Sequence, residues 1–564
     1  MGFVVIEHPY GVWILLPAVV AFAMAIMTRR TVLSLMVGVY AGALLMAGGD
    51  PFVAIYQTWE THLWPTLIDP GKLRVFSFTI LMGAMVGVVT ISGGMRSLIS
   101  CLMPVASNRR RGQLATWLMG NVIFFDDYAS IILLGSTFRS LCDRLRISRA
   151  KLAYIVDSTA APTASIAIVS TWIAVEIDYI SDGLLASGMD GSMAFETFVL
   201  SIPYRFYVIS SLLLVPITVI MRRDLGSMHA AEAECIATKY VAEDEVTDST
   251  SALDHWYSWI FAVVPILVLL IAVVVGLYVT GRQAVAEETS GVVALNQTSF
   301  ERFRQIIGAA SSSVSLQYGA IVGLATAIGL PLLMRAMSFE RLSEGAVSGV
   351  RIVLPAVAVL WTASTLSRMS TDRSVNGEVE TTPFQFQDHR LYAAEYLTGF
   401  LTSTPGASDD NSNSQWFALS LAPTVAFLLA SFVAFCTGTS YGTMGILLPM
   451  LIPIVCGMLS LDGDVSLSDP LLLATIASVL AGAVFGDHCS PISDTTIMSS
   501  QSSGCDHLTH VWTQAPYATL AASISVVLGT LPIGFGVSVW YLLPLQLVGM
   551  IVFTRLLGRK TSEA

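Results

Sequence analysis

Polar, acidic motifs interrupt apolar stretches in both halves of this chain, and they are the residues that could do chemistry. In the first half Phe124-Phe125-Asp126-Asp127-Tyr128-Ala129-Ser130 precedes Asp157-Ser158-Thr159-Ala160-Ala161-Pro162. In the second, Thr437-Gly438-Thr439-Ser440-Tyr441-Gly442 precedes Gly486-Asp487-His488-Cys489-Ser490-Pro491 and Asp494-Thr495-Thr496. Carboxylates and hydroxyls at membrane depth are costly, and chains that keep them there use them for ions and protons.

Each motif suggests a role and also has a plainer alternative. Pro162 removes a backbone donor, so the 157–165 stretch should break its helix and free carbonyls. With the hydroxyls of Ser158 and Thr159 these could replace water around a hard cation such as sodium, which prefers oxygen ligands. Asp157 would supply charge and exchange a proton for the cation. The plainer reading is a proline kink whose Asp caps the next half-helix. Asp487 and Asp494 lie close enough for desolvation and like charge to favour a bound proton. His488 could tune them or simply be a hydrogen-bonded core residue. Of the adjacent carboxylates, Asp127 is assigned to the ion site and Asp126 to capping or to pairing with Arg139. Thr439, Ser440 and Ser490 offer neutral ligands, although small-residue helix packing explains the glycine-flanked stretch as well. The expected sodium ligands are Asp157, Ser158, Asp487 and Asp494.

The elements that must position these residues are membrane helices. Of the 564 residues 54% are hydrophobic and 12% charged, and the mean hydropathy is +0.70. Soluble domains carry roughly 25% charged residues. Apolar runs long enough to cross a bilayer recur throughout. They fall at about 11–28, 31–48, 75–93, 113–138, 151–178 and 198–221, then 255–279, 308–334, 352–367, 416–456, 470–500 and 517–554. The first is followed by Arg29-Arg30 and another apolar run, so it reads as a span rather than a cleaved signal. Trp172, Glu176 and Asp178 are expected at the outer interface. The acidic 222–254 connection reads as a solvated cytoplasmic linker between a first membrane repeat, 1–221, and a second, 255–564.

Basic residues orient the spans. Arg109-Arg110-Arg111 and the cluster from Arg139 to Lys151 flank 113–138 on both sides, so that segment dips in and returns. Leu391 to Met550 contains no Lys or Arg, so 416–456 reads as a hairpin from the opposite face. A hairpin with a polar tip followed by a broken span, occurring twice with opposite entry, is the inverted-repeat pattern of secondary transporters. The expected fold is therefore an all-α polytopic membrane protein of two inverted repeats, with re-entrant hairpins, broken helices and about 11–12 crossings.

The net charge of −11 argues against nucleic acid as a partner. The seven Cys form no CxxC pair, which argues against a disulfide framework or zinc site. No nucleophile–base constellation suggests an enzyme, and no cofactor is expected. Asn296-Gln297-Thr298 is a glycosylation sequon on the side threaded as external. The bilayer and transported ions are the expected partners, and a homodimer is neither required nor opposed by the sequence.

Taken together, FFDDYAS, KLAYIVDSTAAPTASIAIVSTW, GTSYGTMGILLPM and FGDHCSPISDTTIMSS, in this order, resemble NhaC-type sodium/proton antiporters from about Phe76 to Tyr517. The resemblance implies a carrier of the cytoplasmic membrane that exchanges internal sodium, or lithium, for external protons. Some members of the group instead exchange malate for lactate, or are associated with amino acids, so a sodium-coupled organic-anion or amino-acid exchanger is the alternative. The visible motifs of the second half contain no Lys or Arg to bind a dicarboxylate.

Overall fold

The computed structural model describes residues 10–28, 30–95, 97, 106–237, 258–288, 306, 310–371, 374–375, 378–379, 391, 411–460 and 465–561. The sequon lies outside them. The described residues are helical almost throughout. Its longer helices are α1 (Leu16–Thr28), α2 (Thr31–Met46), α3 (Pro70–Ile91), α4 (Arg109–Val122), α5 (Asp127–Arg144), α6 (Arg149–Ile166), α7 (Thr171–Ala186), α8 (Phe206–Met221) and α9 (Gly226–Ala237). They continue with α10 (Ile260–Glu288), α11 (Ser312–Leu333), α12 (Phe339–Thr371), α13 (Asn411–Thr437), α14 (Ser440–Leu459), α15 (Pro470–Cys489), α16 (Asp494–Ser503), α17 (His507–Ser525) and α18 (Val539–Leu557). Among the described residues nine helical segments are long and apolar enough to cross a membrane, or up to 11 when each bent pair counts as one span. Leu267, Ile271, Val274 and Val275 of α10, and Val548 and Val552 of α18, stay exposed. In a helix whose backbone bonds are internal, such a face suits hydrocarbon. The protein is an all-α polytopic membrane protein.

Helix starts follow local chemistry. Asp69 and Asp469 cap α3 and α15 ahead of Pro70 and Pro470, and Ser148 and Ser170 cap α6 and α7 through backbone N–H groups two or three residues on. Glycine sets how closely helices pack. A Cβ on Gly349 would lie 1.9 Å from the Gly83 carbonyl oxygen, and one on Gly87 2.0 Å from that of Gly345. Antiparallel α3 and α12 thus touch along a Gly-xxx-Gly face on each helix.

The 222–254 connection is not simply a solvated linker. Arg223–Asp224 pair antiparallel with Arg559–Lys560, and α9 docks beside α17. Glu232 on α9 is buried, accepts from the Ser148 N–H at 2.7 Å and pairs with Arg109. Burial and then the Asp224 charge push the Glu232 carboxyl up, against the pull of Arg109. Burial alone would raise Asp224 too. The Lys151 ammonium at 2.7 Å, helped by hydroxyls of Thr561 and Tyr517, outweighs it and holds that carboxyl below its ordinary value. The remainder of the connection, 238–254, lies outside the described residues.

Candidate functional site

Two hairpins carry the polar tips. In the first, α4 and α5 fold back on one another: a Cβ on Gly112 near the start of α4 would meet Leu145 and Ile147, just beyond α5. In the second, α13 runs alongside α15, with Gly482 against Phe427 and Gly486 against Ser431, whereas α14 starts beside Ala483 and runs back. Gly438 turns the chain between them with φ +67°, a conformation in which glycine is at ease.

Each tip sits on the break of the helix that follows it. The Thr171 N–H at the start of α7 donates to the Phe125 carbonyl at 2.9 Å. The Ser490 hydroxyl donates to the Phe435 carbonyl at 2.8 Å, and the Ile492 carbonyl oxygen lies 2.7 Å from where a Cβ of Gly438 would be. The returning helix of each hairpin then packs along the second half of the other repeat's broken helix. Gly135 of α5 meets Ser502 of α16, and Gly445 of α14 meets Tyr179 of α7. The two units also run in opposite directions. The first turn of α6 reaches Asp224 beyond the end of α8 through Lys151, whereas α15 begins near the start of α8, where Ala474 packs with Phe206.

The breaks fall partly where the motifs place them. In the second half α15 ends at Cys489 and α16 starts at Asp494, as expected. In the first half α6 runs unbroken through Asp157 and Pro162, and the break comes at 167–170, with a bend of 50°. Pro162 costs its helix the hydrogen bond to the Ser158 carbonyl without ending it. The Ser170 cap starts the next helix instead.

Asp157 lies in mid-helix, fully buried. One carboxylate oxygen accepts from the Ser499 hydroxyl at 3.0 Å, and the other from the Gln514 amide at 2.5 Å with His510 Nε2 3.4 Å away. Asp487 is buried too, and accepts from Ser493 at 2.5 Å and Thr495 at 3.1 Å. The short helix α16 therefore serves both carboxylates, through Thr495 and Ser499, one turn apart. Gln514 ties them further by donating to the His488 carbonyl at 2.9 Å, while the Tyr207 hydroxyl bonds His488 Nδ1 at 2.9 Å. No Lys or Arg among the described residues forms an ion pair with either Asp.

The hairpin carboxylates differ from each other. Asp126 caps α5, accepting from the Ala129 N–H at 2.7 Å, as one of its two expected roles. Arg139, the other expected partner, packs beside Gly504 near the far end of α5. Asp127 is buried with Oδ1 lacking a hydrogen-bond partner. Asp494, at the start of α16, is exposed and 3.4 Å from the Tyr128 hydroxyl.

Several assigned ligands are committed elsewhere. Thr159 bonds its own helix at Ile155 and packs on Gly120. Thr439 caps α14, while Ser440 donates to Ala483 of α15 and Ser490 to Phe435 of α13. These last three hold the second hairpin together. Ser158 is buried next to Asp157. Among the described residues no three His, Cys, Asp or Glu side chains converge as they would around a metal ion. Asp157, Ser158, Asp487 and Asp494 thus do not form one cage.

Trp172, Glu176 and Asp178 are packed inside the protein. Trp172 is buried against Tyr441, ring centroids 5.1 Å apart. Glu176 pairs with Arg205 at 2.7 Å, both fully buried, and Arg205 also bonds the Ser165 carbonyl. Asp178 and Asp182 share Lys72, at 2.9 and 2.7 Å. Sequence reading missed Gln514, His510, Ser499 and Trp172 as neighbours of the site. An amide and an imidazole spaced four apart in an apolar span were the available signal for the first two.

Hairpins, broken helices and carboxylates buried without fixed cations define a polytopic transporter. The comparisons name its family. The Na+/H+ antiporter family model matches residues 165–375 and 415–532. An uncharacterized Haemophilus influenzae protein is 30% identical over 533 residues, 94% of this chain and 92% of its own length. Shorter matches of 108 residues connect the chain to an uncharacterized Na(+)/H(+) antiporter of the same organism and to the Bacillus subtilis Malate-2H(+)/Na(+)-lactate antiporter. The first is 37% identical over 18% of this chain and 21% of that protein. The second is 33% identical over 19% and 21%. Among solved structures, the Alcanivorax borkumensis YdaH transporter matches with TM-score 0.49 and 14% identity, over 88% of this chain and 91% of that one. The chain belongs to the Na+/H+ antiporter family.

Proposed function

We propose that this protein exchanges sodium, or lithium, for protons across the cytoplasmic membrane by alternating access, with residues 1–221 and 255–564 as its two repeats. The observation that carries this reading is the pair Asp157 and Asp487, buried without a Lys or Arg and joined by α16. A buried carboxylate is stable only when neutralised, by a proton or by a cation. Competition between the two for shared carboxylates is exchange.

The hydrogen bonds support proton binding at Asp157. Ser499 has one hydroxyl proton and two acceptors in reach, Asp157 Oδ1 at 3.0 Å and the Thr495 carbonyl at 2.7 Å. With Asp157 ionised the hydroxyl turns to the carboxylate. With Asp157 protonated the carboxyl donates to Ser499, which turns to Thr495, so both states keep their bonds. The unpartnered oxygen of Asp127 and the hydroxyl of Tyr128 offer oxygens on the hairpin side for the cation substrate.

Proteoliposomes with a trapped pH dye test the reading. External sodium should alkalinise the lumen in the native protein, and Asp157→Asn, expressed at normal levels, should abolish the response. Retained exchange in the variant removes Asp157 from the mechanism. The likeness to the malate/lactate antiporter favours sodium-coupled organic-anion exchange as the second reading. Uptake of labelled malate with sodium, without cation-driven alkalinisation, would select it.

A further inference from the structure

A cavity of about 400 Å³ lies between α3, α12 and α5, lined chiefly by Val86 and Thr90 of α3, Ser348 and Ile352 of α12, and Ala129 and Leu133 of α5. Among the described residues Asp126 is its one charged lining residue. The closely packed glycine seam of α3 and α12 forms one wall, and α5 the wall opposite. The volume is that of a small-molecule site and far larger than one bare metal ion requires.

Asp126 is 2% exposed, and its Oδ1 is held by the Ala129 N–H. Among the described residues no Lys or Arg lines the cavity. The carboxylate is thus an acceptor set at the end of an apolar chamber. Val86, Leu133 and Val353 form its walls, and the exposed Ile132 and Ile352 flank its mouth.

We infer that this cavity binds a small organic cation, a protonated amine with an apolar body, whose ammonium meets Asp126 and whose body fills the space between the α3–α12 pair and α5. An ammonium supplies the missing counter-charge through a charge-assisted hydrogen bond, and burying its hydrocarbon on the cavity walls adds to the affinity. The site differs from the Asp157–Asp487 pair, and its occupancy does not depend on which ion the protein carries. An occupant would be wedged between the first hairpin and the α3–α12 pair.

The test is calorimetric titration of phenethylammonium into the full chain in phosphatidylcholine nanodiscs, with neutral 3-phenylpropan-1-ol as the comparison. Saturable binding of the amine, at least about tenfold tighter than the alcohol, is expected (tenfold is 1.4 kcal/mol). Asp126→Asn should lose that tenfold preference while keeping the fold, because Asn caps a helix as well as Asp does. Ile132→Trp, at an exposed mouth position, should weaken amine binding about tenfold with Asp126 intact. No saturable binding to the native protein would overturn the proposal. Equal affinity for amine and alcohol, or unchanged binding in both variants, would overturn it as well.

Discussion

Arg205 holds together the two halves of the first broken helix, and removing its partner should be costly. Its guanidinium bonds the Ser165 carbonyl at the end of α6 and Glu176 on α7, with Ser201 at 3.3 Å and the Phe198 ring 4.6 Å away. Neither Arg205 nor Glu176 is exposed. Glu176→Gln keeps the shape and removes one charge. Leaving a buried charge without its partner costs about 3–5 kcal/mol. The Gln oxygen can still accept one hydrogen bond from the guanidinium, recovering about 1.5 kcal/mol, so a net loss of about 1.5–3.5 kcal/mol follows. The double variant Glu176→Leu/Arg205→Met removes both charges. It leaves the Ser165 carbonyl unpaired at about 1–3 kcal/mol, but it relieves two desolvated ions, which often gains as much. Equilibrium unfolding in mixed detergent micelles, followed by tryptophan fluorescence, should place the double variant near the native protein and the single one well below it. A double variant at least as unstable as Glu176→Gln would show that Arg205 acts through packing, and the charge argument would fail.

Two further predictions rest on the Lys151–Asp224 pair and on the glycine contact. Asp224→Asn leaves the buried Lys151 unpaired and should cost about 3 kcal/mol at neutral pH. Because the Asp224 carboxyl is held below its ordinary 3.8, its contribution is present above that pH and is lost as pH falls through the lowered value. Native and variant unfolding curves should therefore converge in acid, and a gap that does not narrow as pH falls below 3.8 would contradict the assignment. Gly349→Val places side-chain atoms where the Gly83 carbonyl stands, so α3 and α12 must part, at about 3 kcal/mol. Reduced yield and a lower unfolding midpoint are expected, and native stability would show that the helices are not in contact there.

The sequence made the hairpins legible because their signals are local. Paired basic flanks, a polar tip and a glycine turn each appear in consecutive residues, and Asp126 and Thr439 become the caps that such residues make. The second break was legible for the same reason, at Ser490 to Ser493. The first was misplaced because Pro162 was read as a stop, whereas a helix packed on all sides tolerates a proline and ends where a cap can start the next. The neighbours of Asp157 were hidden by distance along the chain: Ser499 and Gln514 lie 342 and 357 residues away. Trp172 and Glu176 were misread because an aromatic and an acid near a span's end fit an interface equally well. Only packing from α8 and α14 shows that they are inside. The same holds for Glu232, whose acidic surroundings in sequence conceal its burial and its half-buried partner Arg109.

If exchange proceeds by alternating access, the contacts constrain what can move. Each hairpin tip is hydrogen-bonded to the break it covers, Phe125 to Thr171 and Phe435 to Ser490, and each returning helix packs on the other repeat's second half-helix. Parting a tip from its break would strand carbonyls in a region without water, which is costly. The hairpins and broken helices therefore travel together. The surface that remains for relative motion is the one they share with α3 and α12. There the contact is apolar beside a cavity, and its polar tie is Lys72 of α3 on Asp178 and Asp182 of α7, with Ser364 of α12 donating to Asp178 at 3.1 Å. Three charges in one cluster hold better than an apolar face but can exchange partners, because Lys72 has two carboxylates within reach and requires only one to remain neutralised. A shift of α7 along α3 could then pass Lys72 from one Asp to the other without leaving it unpaired, and the Asp157–Asp487 pair would move with α6 and α15 as part of the same body.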